Sequence, residues 1–551
     1  MRHTLLRRSL LVTAAAALCV VAGQAAPVFA QGQIIIVNTD GPGEGFNDPT
    51  PAAPVGGNNG TTLGQQRLNV FEYAANIWEA KLQPKTDIYV QSSFDPLGTN
   101  VLGSAGTTFI FRNSPGVEYA DTWYHSALAD KLAGAELNPG FTDIRARFSS
   151  QFVFYLGYDN NEGALVDLLP VVLHELGHGL GFANFVDETT GALFSGGKDI
   201  YSEYTQDVTT GQRWNDMATN AERAASAINI RRVSWDGVHV NASVPDVLAY
   251  GVPTFVSSIG SFAVGAASFG PALTPAGVSG NIVLGLDAVG TPGDACEPLA
   301  NPAAVAGNIA LVDRGTCAFV IKVKNAQNAG AIAVLVADNV LDEPPAGLGG
   351  TDPTITIPSV RVSLPTGNAL KAALAGGAVT GTLSLDLSIR AGTDDTKSLA
   401  LLATFNPVRL GSSISHYDGI ASPNQLMEPA INSDLTNEVE PPVDLTLPLM
   451  TDIGWFSDQD GVPDGRDECL GSDIAATVVI ESCDSRVPNT IFTTGCSISD
   501  LVAQCAVGAA DHGAYASCVA QTTTALRKAE AITGRQQGAI QACAAQSSIG
   551  K

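Results

Sequence analysis

The chain predicts an α+β fold divided among several domains, and three observations predict it. Strand-like and helical stretches alternate before residue 184, the composition changes near residues 244 and 457, and one apolar helix carries two histidines and a glutamate. From Gln33, IIIVNTD reads as a strand, followed by a loop rich in Gly, Pro and Asn through Gly60. Residues 64–82 then place Leu68, Phe71, Ala75, Trp78 and Leu82 at helical spacing. DIYVQSSF and TTFIFRN alternate as strands, a helix is expected over roughly 125–137, and FTDIRARFSSQFVFYL is extended again. A sheet is thus assembled before the helix in PVVLHELGHGLGFAN, residues 170–184, arrives. His125, on the second helix, is expected to be structural or on the surface.

Read as a helix, residues 170–184 set His174 and His178 four apart on one face, where both imidazoles can share a metal ion. Glu175 lies beside them, placed to take a proton from water without binding the metal. Leu169, Leu173, Leu176 and Leu180 recur as a core-facing stripe, and Gly179 and Gly181 are expected to end the helix. The alternative is a buried helix with satisfied core histidines. Two His and a Glu among apolar residues make that an expensive way to build a core.

The ends and the charge narrow the class. Arg2, Arg7 and Arg8, an apolar run from Leu10 to Ala22, and Ala30 before a polar break predict a secretory signal peptide over residues 1–30. Cys19 follows Leu18 rather than a small residue, so no lipid attachment is expected there. The net charge is −25, and removing the leader takes away three arginines and no carboxylate, leaving −28. A nucleic-acid partner is excluded on that charge, and no later apolar run is long enough to span a bilayer. The expected product is exported, extracellular or periplasmic, with eight cysteines in an oxidising compartment.

Between residues 244 and 395 the chain is rich in Val, Ala, Gly and Pro, and GNIALVDRGTCAFVIKVKNAQNAGAIAVLVADN reads strand, turn, helix, strand. Through ALVDRGTCAF and KVKNAQNAGAIAVLV the segment resembles a protease-associated (PA) domain. The resemblance implies a β-rich α/β insertion without catalytic residues, acting as a lid, a substrate contact or a passive insert. It also implies a disulfide between Cys296 and Cys317.

A catalytic zinc site needs three protein ligands and one open position, so the third ligand decides the family. HELGHGLGF resembles the metzincin pattern H-E-x-x-H-x-x-G, but Asn184 stands where metzincins place their next histidine. Two residues remain in play. Glu203 lies at a spacing that resembles the thermolysin-like class. His416, in SHYD and followed by Met427 in LMEP, resembles the displaced third histidine and Met-turn of leishmanolysin-type metzincins, which also carry insertions. The second resemblance implies a zincin/metzincin-like domain with a mixed sheet and an active-site helix, split into residues 31–243 and 396–457. Its implied activity is that of a secreted zinc endopeptidase acting on protein or peptide substrates. His174, His178 and His416 would hold Zn2+, Glu175 would be the general base, and Met427 a hydrophobic floor. A thermolysin-like peptidase using Glu203 stays open, as does an exported adhesion protein with a structural metal. Tyr417 and Asp418 adjoin the ligand and either orient it or simply pack, while His239 and His512 read as ordinary.

Residues 458–551 form the last expected unit, a small Cys-rich helical module. DQDGVPDGRDEC sets Asp458, Asp460, Asp464 and Asp467 around a Gly turn and resembles a thrombospondin type 3 or EF-hand-like loop, which implies Ca2+. Cys469 replaces the Glu usual at the twelfth position, and a solvated acidic turn is the alternative. Six cysteines from Cys469 to Cys543 predict three disulfides of undetermined connectivity.

Overall fold

Alternation of apolar residues carries through to the sheet. In β2 (Ile88–Asp95) every second side chain is buried, the pattern of a strand with one face on a core. In the computed structural model, which describes residues 32–394, 396, 398–431, 435–458 and 460–551, β2 lies in a mixed sheet of order β1, β2, β6, β3. β1 (Ile34–Asn38) and β6 (Ile144–Ser149) run parallel to β2, and β3 (Gly103–Thr107) runs antiparallel to β6 at the edge. The expected leader, residues 1–30, and Asp395, at the expected end of the insertion, lie outside the described residues. Among the described residues no helix is long and apolar enough to cross a membrane.

Two helices cover this sheet. α1 (Leu63–Leu82) starts where Thr62 accepts a hydrogen bond from Gln65 N–H, and it buries Phe71, Ala75, Trp78 and Leu82. A small hairpin follows from β4 (Ile110–Arg112) and β5 (Thr122–His125), then α2 (Ser126–Ala133). His125 is the N-cap of α2 and is buried against the Phe185 ring at 4.5 Å, the structural one of its two expected places. α3 (Leu168–Leu180) carries the histidines. Asp167 caps it by accepting from Leu169 N–H, and Leu169, Leu173, Leu176 and Leu180 are fully buried. The Trp78 indole donates to Leu173 O at 3.1 Å, and the Trp455 indole to Leu180 O at 3.1 Å, so α3 is pinned from both sides.

Gly181 ends α3 with φ 145, but Gly179 does not; it lies inside the helix, where a Cβ would come within 2.4 Å of Ile144 Cγ2. Its small size brings α3 onto β6. The stretch after α3 is also less irregular than its polarity suggests. Strands Thr205–Asp207, Gln212–Arg213 and Val233–Trp235 form a small antiparallel sheet, with helix Asn220–Ala227 between the last two strands and helix Val238–Val247 after them. Strands of two or three residues are too short to show alternation.

An α/β insertion follows, with an eight-stranded sheet. Its central strands Ile309–Asp313 and Ala333–Ala337 run parallel and are apolar nearly throughout, as strands covered on both faces require. Separate apolar clusters fill the two faces. Strands Tyr250–Ser257 and Thr380–Arg390 pair antiparallel, so the insertion leaves and rejoins its host at neighbouring points. Helix Val238–Val247 runs across residue 243, where the composition had suggested a boundary. One core joins residues from Ile34 to Leu248 with residues from Ala400 to Trp455, so the segments flanking the insertion form a single packed unit.

The C-terminal region has its own cluster of buried residues. It holds three disulfides, Cys469–Cys496, Cys483–Cys543 and Cys505–Cys518, and the insertion holds Cys296–Cys317. Besides its three helices it contains a hairpin, Thr477–Ile480 with Cys483–Pro488, that the Ala-rich sequence does not announce. Gly179→Ala should destabilise the protein by about 1–3 kcal/mol, because the added methyl meets a β-branched side chain with little room to turn. A urea melt followed by far-UV circular dichroism measures it, and an unchanged midpoint would refute the close-approach account.

Candidate metal centre

His174 and His178 stand one turn apart on α3, and the segment after the insertion brings His416 against them. The three Nε2 atoms form a triangle with sides of 3.1, 3.2 and 3.2 Å. Each Nδ1 faces a backbone carbonyl: His174 faces Leu426 O at 2.8 Å, His178 faces Phe182 O at 2.8 Å, and His416 faces Ser412 O at 3.0 Å. A carbonyl oxygen can only accept, so each Nδ1 carries the proton, and a neutral ring then has a bare lone pair at Nε2. Burial keeps the rings neutral. It lowers all three pKa values, His178 to about 3, with the neighbouring imidazoles adding to the effect on His178 and His416.

Three lone pairs converging at this distance repel unless a cation lies between them. Tetrahedral ligands about 2.0 Å from a zinc ion stand about 3.3 Å apart, close to the observed triangle. The donor set, its protonation and its spacing are those of a divalent transition-metal site of the catalytic type. Glu203 is not part of this group; it accepts from Asn215 Nδ2 at 2.9 Å, on the short helix Tyr201–Glu203.

Glu175 points toward β3, where a Cβ on Gly103 would lie 2.7 Å from its Oε1, so only glycine leaves room for the carboxylate there. Burial pushes the Glu175 carboxyl up to about 8, against a hydrogen bond from Ala105 N–H that favours the carboxylate. Met427 is fully buried below α3, its Sδ occupying the space that a side chain at Gly177 would need. The turn around it is tied down. Leu426 N–H donates to Asp444 Oδ2 at 2.6 Å, Thr446 N–H to Asp444 Oδ1 at 2.7 Å, and Tyr417 N–H to Met427 O at 2.8 Å.

Asn184 has a role that its replacement of histidine did not suggest. Its backbone N–H and its Nδ2 both donate to Ser415 Oγ at 3.1 Å, next to His416. Tyr417 and Asp418 look elsewhere: Tyr417 OH donates to Leu445 O at 3.0 Å, and Asp418 faces Arg231 at 3.6 Å. His416 is therefore oriented by a carbonyl four residues earlier. His239 and His512 bond backbone carbonyls and lie outside the group.

The acidic loop gathers three of its four expected residues. Asp458, Asp460 and Asp467 each bring a carboxylate oxygen within 4.8 Å of the others. Asp460 Oδ2 and Asp467 Oδ2 are buried without a hydrogen-bond partner. Asp464 turns away: its Oδ2 accepts from Phe456 N–H at 3.1 Å and its own N–H donates to Glu118 Oε2 at 3.2 Å. Burial, and then the Glu118 carboxylate beside it, push the Asp464 carboxyl far up.

A family model described as the PA domain matches residues 278–370, so this part of the insertion is a PA domain. Vacuolar-sorting receptor 3 of Arabidopsis thaliana is 49% identical over 75 residues, 12% of this chain and 12% of the receptor. The minor extracellular protease Vpr of Bacillus subtilis (strain 168) is 38% identical over 82 residues, 15% of this chain and 10% of that protein. An aminopeptidase from Aneurinibacillus sp. strain AM-1 is similar in structure with a TM-score of 0.20 and 26% identity, over 26% of this chain and 31% of that one. The chain thus shares only short stretches with these proteins.

Proposed function

We propose that the protein is an exported zinc endopeptidase of the metzincin type with a leishmanolysin-like split site. The observation that carries this reading is the convergence of three unprotonated Nε2 atoms from His174, His178 and His416, with Glu175 one residue from the first of them. When bound there, zinc supplies a Lewis acid that acidifies water and polarises a carbonyl. Glu175 takes the proton of the attacking water and returns it to the leaving amine. Met427 supports α3 from below at Gly177 and touches no reacting atom.

The surroundings favour a polypeptide substrate. β3 is the edge strand of its sheet and lies against Glu175, so its outer backbone groups are placed to pair with an extended chain. In the same reading the stretches from Ile34 to Leu248 and from Ala400 to Trp455 are the catalytic domain, strands Tyr250–Ser257 and Thr380–Arg390 bound the insertion, and residues 458–551 are a separate module. Calcium is our proposal for Asp458, Asp460 and Asp467, supported by the two carboxylate oxygens without partners; Asp464 is not among the ligands.

Two experiments test the reading. The purified full-length protein should hold one zinc per chain at the histidines and lose it to chelator; His416→Ala should lower zinc affinity sharply, and Glu203→Ala should leave it unchanged. Zinc stoichiometry after dialysis, with circular dichroism as the control for folding, decides it, and full zinc in folded His416→Ala would remove the split site. Glu175→Gln should keep its zinc while casein hydrolysis falls by about 10²–10⁴-fold, because an amide cannot accept the proton. Near-normal turnover in that variant would remove the general-base assignment.

A further inference from the structure

The PA domain touches its host at a second place besides its paired entry and exit strands. Glu343 N–H donates to Asn406 O at 3.2 Å, and Asn406 N–H donates to Glu343 O at 2.9 Å, a two-bond ladder between the PA domain and the segment that leads to His416. Beside it the Arg409 guanidinium pairs with Asp342 and lies over the Phe405 ring at 4.1 Å. Arg409 also organises the next turn. Its carbonyl accepts from Ser412 N–H at 3.0 Å and from Ser413 N–H at 2.9 Å, and its own N–H donates to Ser413 Oγ at 3.1 Å. Ser412 O then accepts the Nδ1 proton of His416 at 3.0 Å. Every link from Asp342 to the His416 ring is a direct contact.

We propose that Asp342 and Arg409 are positioning residues: through them the PA domain holds the Ser412 carbonyl that fixes the tautomer and direction of His416. This rests on His416 being a zinc ligand. The ion pair is partly exposed, with side chains 22% and 37% accessible, so its own attraction is modest. Its weight lies in what it holds still. Loss of the partner of a ligating histidine typically weakens metal binding by about 10–100-fold, because the ring must then be aimed from many orientations. A lid that only covered the site would have no reason to reach the chain between Phe405 and Ser413.

The test uses the full-length protein and zinc affinity by competition with a chromogenic chelator. Asp342→Asn and Arg409→Gln should each weaken zinc by about tenfold, the low end of such effects. The double variant should be no worse than either single, and the swap of Asp342→Arg with Arg409→Asp should restore most of the affinity. Cobalt in place of zinc should show altered visible absorption bands in Arg409→Gln. Asp313→Asn, which breaks a pair with Lys371 elsewhere in the insertion, should change nothing. Singles within about twofold of the parent, or an equal loss in Asp313→Asn, overturn the proposal. If Arg409→Gln fails to fold, Asp342→Asn is read by the same criterion. A parent protein that takes up no zinc overturns the metallopeptidase reading instead, and the two failures are thereby distinct.

Discussion

The structure depends on an arrangement that is repulsive by itself: three imidazole lone pairs held 3.1–3.2 Å apart in a buried place. Holding them requires a fixed proton on the far side of each ring, and the carbonyls that fix it come from three places. Phe182 follows directly on α3, Leu426 lies in the turn beside Met427, and Ser412 lies in the segment that returns from the insertion. His174 and His416 are 242 residues apart, so the centre exists only if distant stretches share one core. They do, since buried residues on both sides of the insertion pack in a single cluster that includes Leu173, Leu176, Met427 and Trp455.

An insertion inside a metal centre would ordinarily loosen it, because a long flexible loop adds closure entropy. Here the insert folds around its own apolar clusters and returns at a strand paired with the one by which it left. Its host then sees a connection little longer than a hairpin. Arg390 reinforces the junction by donating to Pro245 O at 3.1 Å on the host side.

What could be read from the sequence was whatever is written locally. α3 announces itself, because leucines at helical spacing and the two histidines are periodic signals within one short segment. The PA domain carries consecutive local motifs and was equally plain, as were the cysteines of the tail as a group. His416 was reachable only through the resemblance of SHYD and the following methionine, since nothing in its own neighbourhood marks a ligand. Other features were beyond reach. Backbone carbonyls that orient ligands have no residue identity, so Ser412 and Leu426 gave no signal, nor did Asp444 behind them. Asp464 is beyond reach for a related reason: acidic spacing does not say which way each carboxylate turns, and this one, on the short helix Asp464–Arg466, accepts from Phe456 N–H and lies beside Glu118. Helix spacing left His125 either structural or exposed, because it cannot tell a buried N-cap from an exposed first turn; its burial makes it structural.

Two glycines of α3 set how closely its neighbours approach. Gly177 and Gly179 sit in the interior of a helix, where each costs about 1 kcal/mol relative to alanine. Each is next to something that must come close: Met427 Sδ at Gly177 and Ile144 at Gly179. Gly103, on β3, does the same for Glu175 from the opposite side. The helix therefore gives up intrinsic stability so that the floor, the sheet and the edge strand can all approach it. That loss is offset by the leucine stripe, whose four side chains are fully buried at about 1.5–3 kcal/mol apiece. Function and packing thus divide α3 by face: its leucines hold the helix in place, and its small residues let the neighbours that build the centre reach it.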